Sequence, residues 1–224
     1  GKTVTRAENA GGADAAAAPA EADEFARRGA ARLARGDSAA AIADFNEAIR
    51  LDPEQAAYFR DRARAHEAGG DLVAAARDID AAIALAPDDA QLRIVRAEIR
   101  YDQHDRAGAL ADAEAAAASA PAGALDNMDL VMLFERLEQP RRAVALLDPM
   151  IALHPADPKL GSLYNSRCWA RGLANIELDK AMADCEASIR KQGAGRHNLD
   201  SRALVHLRQR VYAAAIVDYD AALK

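Results

Sequence analysis

An all-α fold of repeated helical hairpins is what this sequence predicts, on three observations. Much of its 51% hydrophobic content is alanine, while aromatic residues make up only 4%. Alanine is the strongest helix former and the smallest core filler, which suits closely stacked helices and argues against a sheet. Four prolines keep a fixed step, Pro53, Pro87, Pro121 and Pro155 each lying 34 residues after the last. Between them the apolar residues keep a helical period: Ala41, Phe45, Ala48 and Ile49 fall at i, i+4, i+7 and i+8, one stripe of a helix.

Taken in order, residues 1–21 carry almost no apolar side chain larger than alanine. They cannot bury enough surface to offset the entropy of ordering, and a flexible linker is expected there. The first repeat, about 22–55, reads AAIADFNEAIRLDP at 40–53, and the second, 56–89, reads AAARDIDAAIALAP at 74–87. In each, a first helix precedes a Gly-Asp turn, Gly36-Asp37 and Gly70-Asp71. Glycine tolerates the left-handed end of one helix and aspartate accepts the free N–H groups opening the next, so each repeat is a hairpin. The third repeat, 90–123, reads GALADAEAAAASAP at 108–121, and the fourth, 124–157, reads RAVALLDPMIALHP at 142–155. Pro149 falls inside that last helix, where a missing backbone hydrogen bond should bend it, a disruption of ~3 kcal/mol in an ideal helix.

The fifth repeat, 158–195, arrives four residues late, with Ala181 lying 38 after Ala143. It has Trp169 where the pattern has a small residue and Gly193 where it has proline. A first helix lengthened to about Leu160–Ala174 is expected. The sixth repeat, 196–224, returns to the step of 34 and ends in AAIVDYDAALK. Residues 191–198, KQGAGRHN, read as a mobile connection.

The repeat resembles that of the tetratricopeptide repeat (TPR) family, whose 34-residue unit has small residues at positions 8, 20 and 27 and proline at 32. Gly29, Ala41, Ala48 and Pro53 fill those places in the first repeat, Ala63, Ala75, Ala82 and Pro87 in the second, and Ala97, Ala109, Ala116 and Pro121 in the third. Ala203, Ala215 and Ala222 do so in the sixth, while Val131 and Met150 depart from the pattern in the fourth. The resemblance covers about residues 22–224. It implies a right-handed α-solenoid superhelix of about six hairpins, with the first helices lining a concave groove.

Family members bind peptides in that groove through positions 2, 5, 9, 12 and 13 of the unit. Carried over, these are bland in the first repeat and place Arg60, Arg64 and Glu67 in the second, Gln91, Ile94, Glu98, Tyr101 and Asp102 in the third, and Leu125, Met128, Met132, Glu135 and Arg136 in the fourth. The sixth supplies His197, Asp200, Leu204, Leu207 and Arg208. The peptide-binding patch expected is Arg60, Arg64, Ile94, Tyr101, Leu125, Met128 and Met132. Methionines adapt to an apolar anchor, and arginines one helical turn apart can fork onto a carboxylate. The alternative is that Met128 and Met132 pack against the neighbouring repeat. The family's clamp for chaperone C-termini does not fit, since Arg64 stands where asparagine is needed.

A formal charge of −6 opposes nucleic acid as the main partner, because phosphate binding needs excess, clustered Lys and Arg. No apolar run reaches the 18 residues of a membrane span. The five histidines form no HxxxH pair, and GxSxG, GxxxxGK and GxGxxG motifs are missing, so neither a metal, a cofactor nor catalysis is expected. Asp78 with Asp80 and Asp218 with Asp220 read as a solvated helix face. Cys168 and Cys185 would lie on the two helices of one hairpin; free buried cysteine is the default reading, with a disulfide left open.

The chain starts at Gly1, as a processed mature form or an excised segment would, so the compartment stays open: cytoplasmic, or periplasmic or secreted if a signal was removed. It stops at Lys224 without a polar capping helix, as expected of a last repeat covered by a second copy or cut from a larger protein. The function expected is a non-catalytic interaction scaffold for a peptide or protein segment. The alternatives are a self-associating structural module or a regulatory domain of a larger, enzymatic protein.

Overall fold

The computed structural model describes the backbone of residues 11–224 and the side chains of residues 20–224. Among the described residues there are twelve α-helices: α1 (Gly11–Leu33), α2 (Ser38–Leu51), α3 (Ala56–Ala68), α4 (Leu72–Leu85), α5 (Ala90–Asp102), α6 (Arg106–Ser119), α7 (Met128–Arg136), α8 (Pro140–Leu153), α9 (Leu160–Ala174), α10 (Leu178–Gln192), α11 (Arg196–Arg208) and α12 (Tyr212–Ala222). A short 3-10 turn, Leu125–Asn127, leads into α7. The helices follow one another as six hairpins, as the repeat pattern predicts.

The chain divides into two compact halves, the first ending at Asp112 and the second running from Ala113 to Lys224. In the first half each of α1 to α4 packs on the helix that follows it. In the second half the same holds from α7 to α12, and α9 also meets α11. The core of the first half is built from small residues around a few large ones. Ala63, Ala75 and Ala82 surround Ile79, Leu92, Val95 and Ile99, while Ala41 and Ala65 flank the fully buried Phe45. A Cβ added to Gly29 would stand 2.9 Å from the Phe45 ring. The repeat's small position is thus where two helices cross too closely for a larger side chain.

The turns match their chemistry. Asp37 and Asp71 accept hydrogen bonds from the backbone N–H groups of Ala40 and Ala74 at 3.1 and 3.0 Å, and Gly36 and Gly70 take φ of 82° and 83°. Asp105 caps α6 in the same way through Gly108 N at 2.9 Å. Later hairpins turn through the same left-handed geometry without glycine, at His104, Glu138, Asn175 and Arg210.

Several expectations need correction. Helix α1 opens at Gly11, so the linker expected over 1–21 is helical from that residue, in keeping with the helix propensity of its alanines. Residues 1–10 lie outside the described residues. Helix α10 continues to Gln192 and α11 starts at Arg196, which reduces the expected 191–198 connection to three residues. Cys168 and Cys185 are joined as a disulfide between α9 and α10, with Cα atoms 5.4 Å apart, not left as free thiols. The lengthened first helix of that hairpin has the bounds expected, Leu160–Ala174.

The largest correction concerns the aspartates. Asp78 and Asp218 are not solvated: they are 7% and 4% exposed. Each accepts two hydrogen bonds from an arginine of its own hairpin's first helix, Arg62 and Arg202. Arg28 with Asp44, Arg96 with Asp112 and Arg167 with Asp184 repeat the arrangement. Hydrogen bonding from Arg28 holds the Asp44 carboxyl below its ordinary range despite burial. In the fourth hairpin leucine replaces both members, Leu130 and Leu146 occupying the two positions. Losing both partners together is tolerable, whereas losing one strands a buried charge.

Candidate functional site

The expected patch falls in both halves. In the first half, Arg60 and Arg64 sit one turn apart on α3, both half-buried. Arg60 is engaged by its neighbour, donating from Nε to Asp61 Oδ1 at 2.9 Å. Ile94 is withdrawn from solvent, 4% exposed, so it supports the helix more than it offers a contact. Tyr101 has the Arg106 guanidinium over its ring at 5.9 Å. In the second half, Leu125 starts the 3-10 turn, Met128 opens α7 and both are half-buried. Met132 is 52% exposed.

A better-formed site lies wholly within the second half. There α7, α9 and α11, the first helices of three successive hairpins, line a cavity of about 370 Å3 through Glu135, Asn165, Ser166, Trp169, His197 and Asp200. Ser201 completes the lining, and its Oγ donates to the backbone oxygen of His197 at 3.0 Å, which leaves the hydroxyl as an acceptor. Two lining atoms are buried without a hydrogen-bond partner among the described residues: Glu135 Oε1 and Asn165 Oδ1. Stranding an acceptor in this way costs roughly 1–3 kcal/mol. Burial pushes the Glu135 carboxyl up to about 7.

Three arginines on these helices are turned to other work. Arg167 holds Asp184 and Arg202 holds Asp218, each through two hydrogen bonds. Arg208 donates to Gly172 O at 3.1 Å. No lysine or arginine lines this cavity, while Arg196 lines the hollow beside it, which shares Asn165, Ser166 and His197. The hollow therefore pairs two buried, unanswered acceptors with one aromatic wall.

Glu135, His197 and Asp200 hold groove positions carried over from the repeat pattern. Asn165, Ser166 and Trp169 escaped it, because the insertion in the fifth repeat shifts the register on which positions are counted. The spacing of Asn165 and Trp169, one helical turn apart on a helix whose bounds were legible, was the signal available.

Tandem helical hairpins with a cavity on the first helices make this a helical-repeat protein, and comparison with solved structures specifies the fold. The chain is similar to YrrB, a TPR protein with an unusual peptide-binding site, at 18% identity and a TM-score of 0.60 over 80% of this chain and 90% of that one. It is similar to PilF of Pseudomonas aeruginosa at 15% identity and a TM-score of 0.65, over 90% of both chains. It also resembles the APC/C hetero-tetramer Cut9–Hcn1, at 14% identity and a TM-score of 0.64, over 92% of this chain and 40% of that one. No family model matches the chain, and no curated protein matches its sequence. The chain has the TPR fold. Among the described residues no helix is long and apolar enough to cross a membrane.

Proposed function

We propose that this protein is a non-catalytic interaction scaffold that binds a segment of another protein along the face of its first helices. The observation that carries the reading is the convergence of α7, α9 and α11 on one cavity with buried, unpaired acceptors. A fold that needed only to be stable would gain by pairing them or replacing them with apolar groups. The likeness to YrrB, described as having a peptide-binding site, supports the same reading. Arg60, Arg64, Ile94, Tyr101, Leu125, Met128 and Met132, each on a first helix or the turn leading into one, are proposed as further contacts.

The test is affinity for segments selected from a random peptide library on the immobilised chain. Met128→Asp combined with Arg60→Glu, and Met132→Asp alone, are expected to weaken binding at least about tenfold. Val73→Asp, at an exposed position of the second helix α4, should leave it unchanged. Equal affinity across all variants removes the groove assignment.

Self-association is the second reading, favoured by exposed apolar residues on α12: Tyr212, Ile216 and Val217 are 57%, 60% and 66% exposed. Light scattering at increasing concentration, on wild type and on Ile216→Lys with Val217→Lys, separates a dimer from a monomer.

A further inference from the structure

We propose that the cavity between α7, α9 and α11 is a receptor for a single ammonium group carried by the bound segment, with Glu135, Asn165 and Asp200 as its acceptors and Trp169 as its aromatic wall. The assignment rests on the reading of the first-helix face as a binding surface and names the chemistry of one cavity on it.

The lining holds two acceptors that the fold leaves unanswered, beside the donors of Ser166, Trp169 and His197. Glu135 Oε1 and Asn165 Oδ1 are buried acceptors without a partner, the Asp200 carboxylate lines the same hollow, and the Ser201 hydroxyl has already donated its proton to His197 O. A ligand that satisfies them must bring donors. A carboxylate or phosphate would bring more acceptors and leave the two buried ones unanswered, even with Arg196 lining the adjoining hollow. A positive charge suits two carboxylates and also the face of an indole.

Geometry selects the kind of cation. A guanidinium is a flat fork whose donors match two oxygens of one carboxylate side by side, as Arg62 matches Asp78. Here the acceptors come from three different helices, Glu135 from α7, Asn165 from α9 and Asp200 from α11. Three rotatable donors on one compact centre suit acceptors spread over three helices better. A lysine side chain and a peptide's N-terminal amine both carry this group, and the cavity's chemistry is common to the two.

Trp169 is the only tryptophan in the chain, so its emission reports directly on occupancy. Three tripeptide amides serve as probes for the purified 224-residue chain: one N-acetylated with a central lysine, one the same with the lysine side chain acetylated, and one without lysine but with a free N-terminus. A saturating change in Trp169 emission with the first and not the second establishes a lysine site. A change with only the third establishes an N-terminal amine site. In either case Glu135→Gln, and independently Asp200→Asn, should weaken binding by about tenfold or more, with the far-ultraviolet helical signal of each variant unchanged.

Silence from all three probes overturns the proposal, as does binding that both variants leave unaltered, or tighter binding of an arginine counterpart. If library-selected segments still bind in a Met132-dependent way while the amine probes do not, the ammonium assignment fails and the groove reading stands. If both fail, the surface is not a binding face.

Discussion

Arg62 of α3 joins Asp78 of α4 through two parallel hydrogen bonds, Nε to Oδ2 at 2.7 Å and Nη2 to Oδ1 at 2.6 Å. Its remaining nitrogen, Nη1, reaches Asn46 of α2 at 2.7 Å. One planar guanidinium thereby ties the two helices of a hairpin together and anchors them to the hairpin before. Arg96 does the same between Asp112 and Asp80, and Arg167 between Asp184 and Asp148. A lysine could supply the charge but not the two-sided fork.

Removing one member of such a pair should be costly. Arg62→Ala leaves Asp78 buried without its partner, and a loss of about 2 kcal/mol of unfolding free energy is expected in urea denaturation. Arg62→Leu with Asp78→Leu copies Leu130 and Leu146 of the fourth hairpin and should recover most of that loss. Strictly additive single and double variants would show that the pair is not coupled.

The Cys168–Cys185 bond closes a loop across a sequence separation of 17. Restricting the unfolded chain to that extent is worth about 3 kcal/mol. Cys168→Ala with Cys185→Ala should lower stability by that order, while the intact-mass difference between native and reduced protein reports the bond itself.

Arg210 turns α11 into α12 at φ 63°, a position that glycine fills at Gly36 and Gly70. Left-handed geometry costs a side-chain-bearing residue roughly 1–2 kcal/mol. Arg210→Gly should therefore raise the melting temperature by a few degrees, part of the gain being offset by a freer unfolded chain. An unchanged or lower melting temperature would mean the Arg210 side chain contributes more than its backbone loses.

Glu135 titrates near 7 in the folded chain against an ordinary 4.5, because burial disfavours its charged form. Between those values the folded protein retains a proton that the unfolded chain has released. This contribution to stability is complete below about pH 4.5 and is lost as pH rises through 7. Glu135→Gln should flatten that decline relative to wild type in denaturation at pH 5 and pH 7.5. His197 and Asp200 also line the cavity and are common to both proteins, so the difference isolates Glu135.

The hairpins, their turns and even the bounds of α9 were legible because each depends on residues a few positions apart: a stripe, a glycine, a capping aspartate. The Arg–Asp pairs were visible only as a coincidence of spacing. Arg28, Arg62 and Arg96 recur at the same step as Asp44, Asp78 and Asp112, yet pairing them requires knowing how two helices face each other across a turn. Asp78 therefore read as solvated.

By itself, the sequence determined that this chain is a tandem array of helical hairpins, since helix period, helix breakers and small crossing residues are local properties repeated every 34 positions. The tertiary structure alone decided which polar groups would be paired and which would be stranded. Asp78 finds an arginine and Glu135 Oε1 finds none. Hydrogen bonding and desolvation depend on what packing brings within about 3 Å, and no spacing along the chain specifies that.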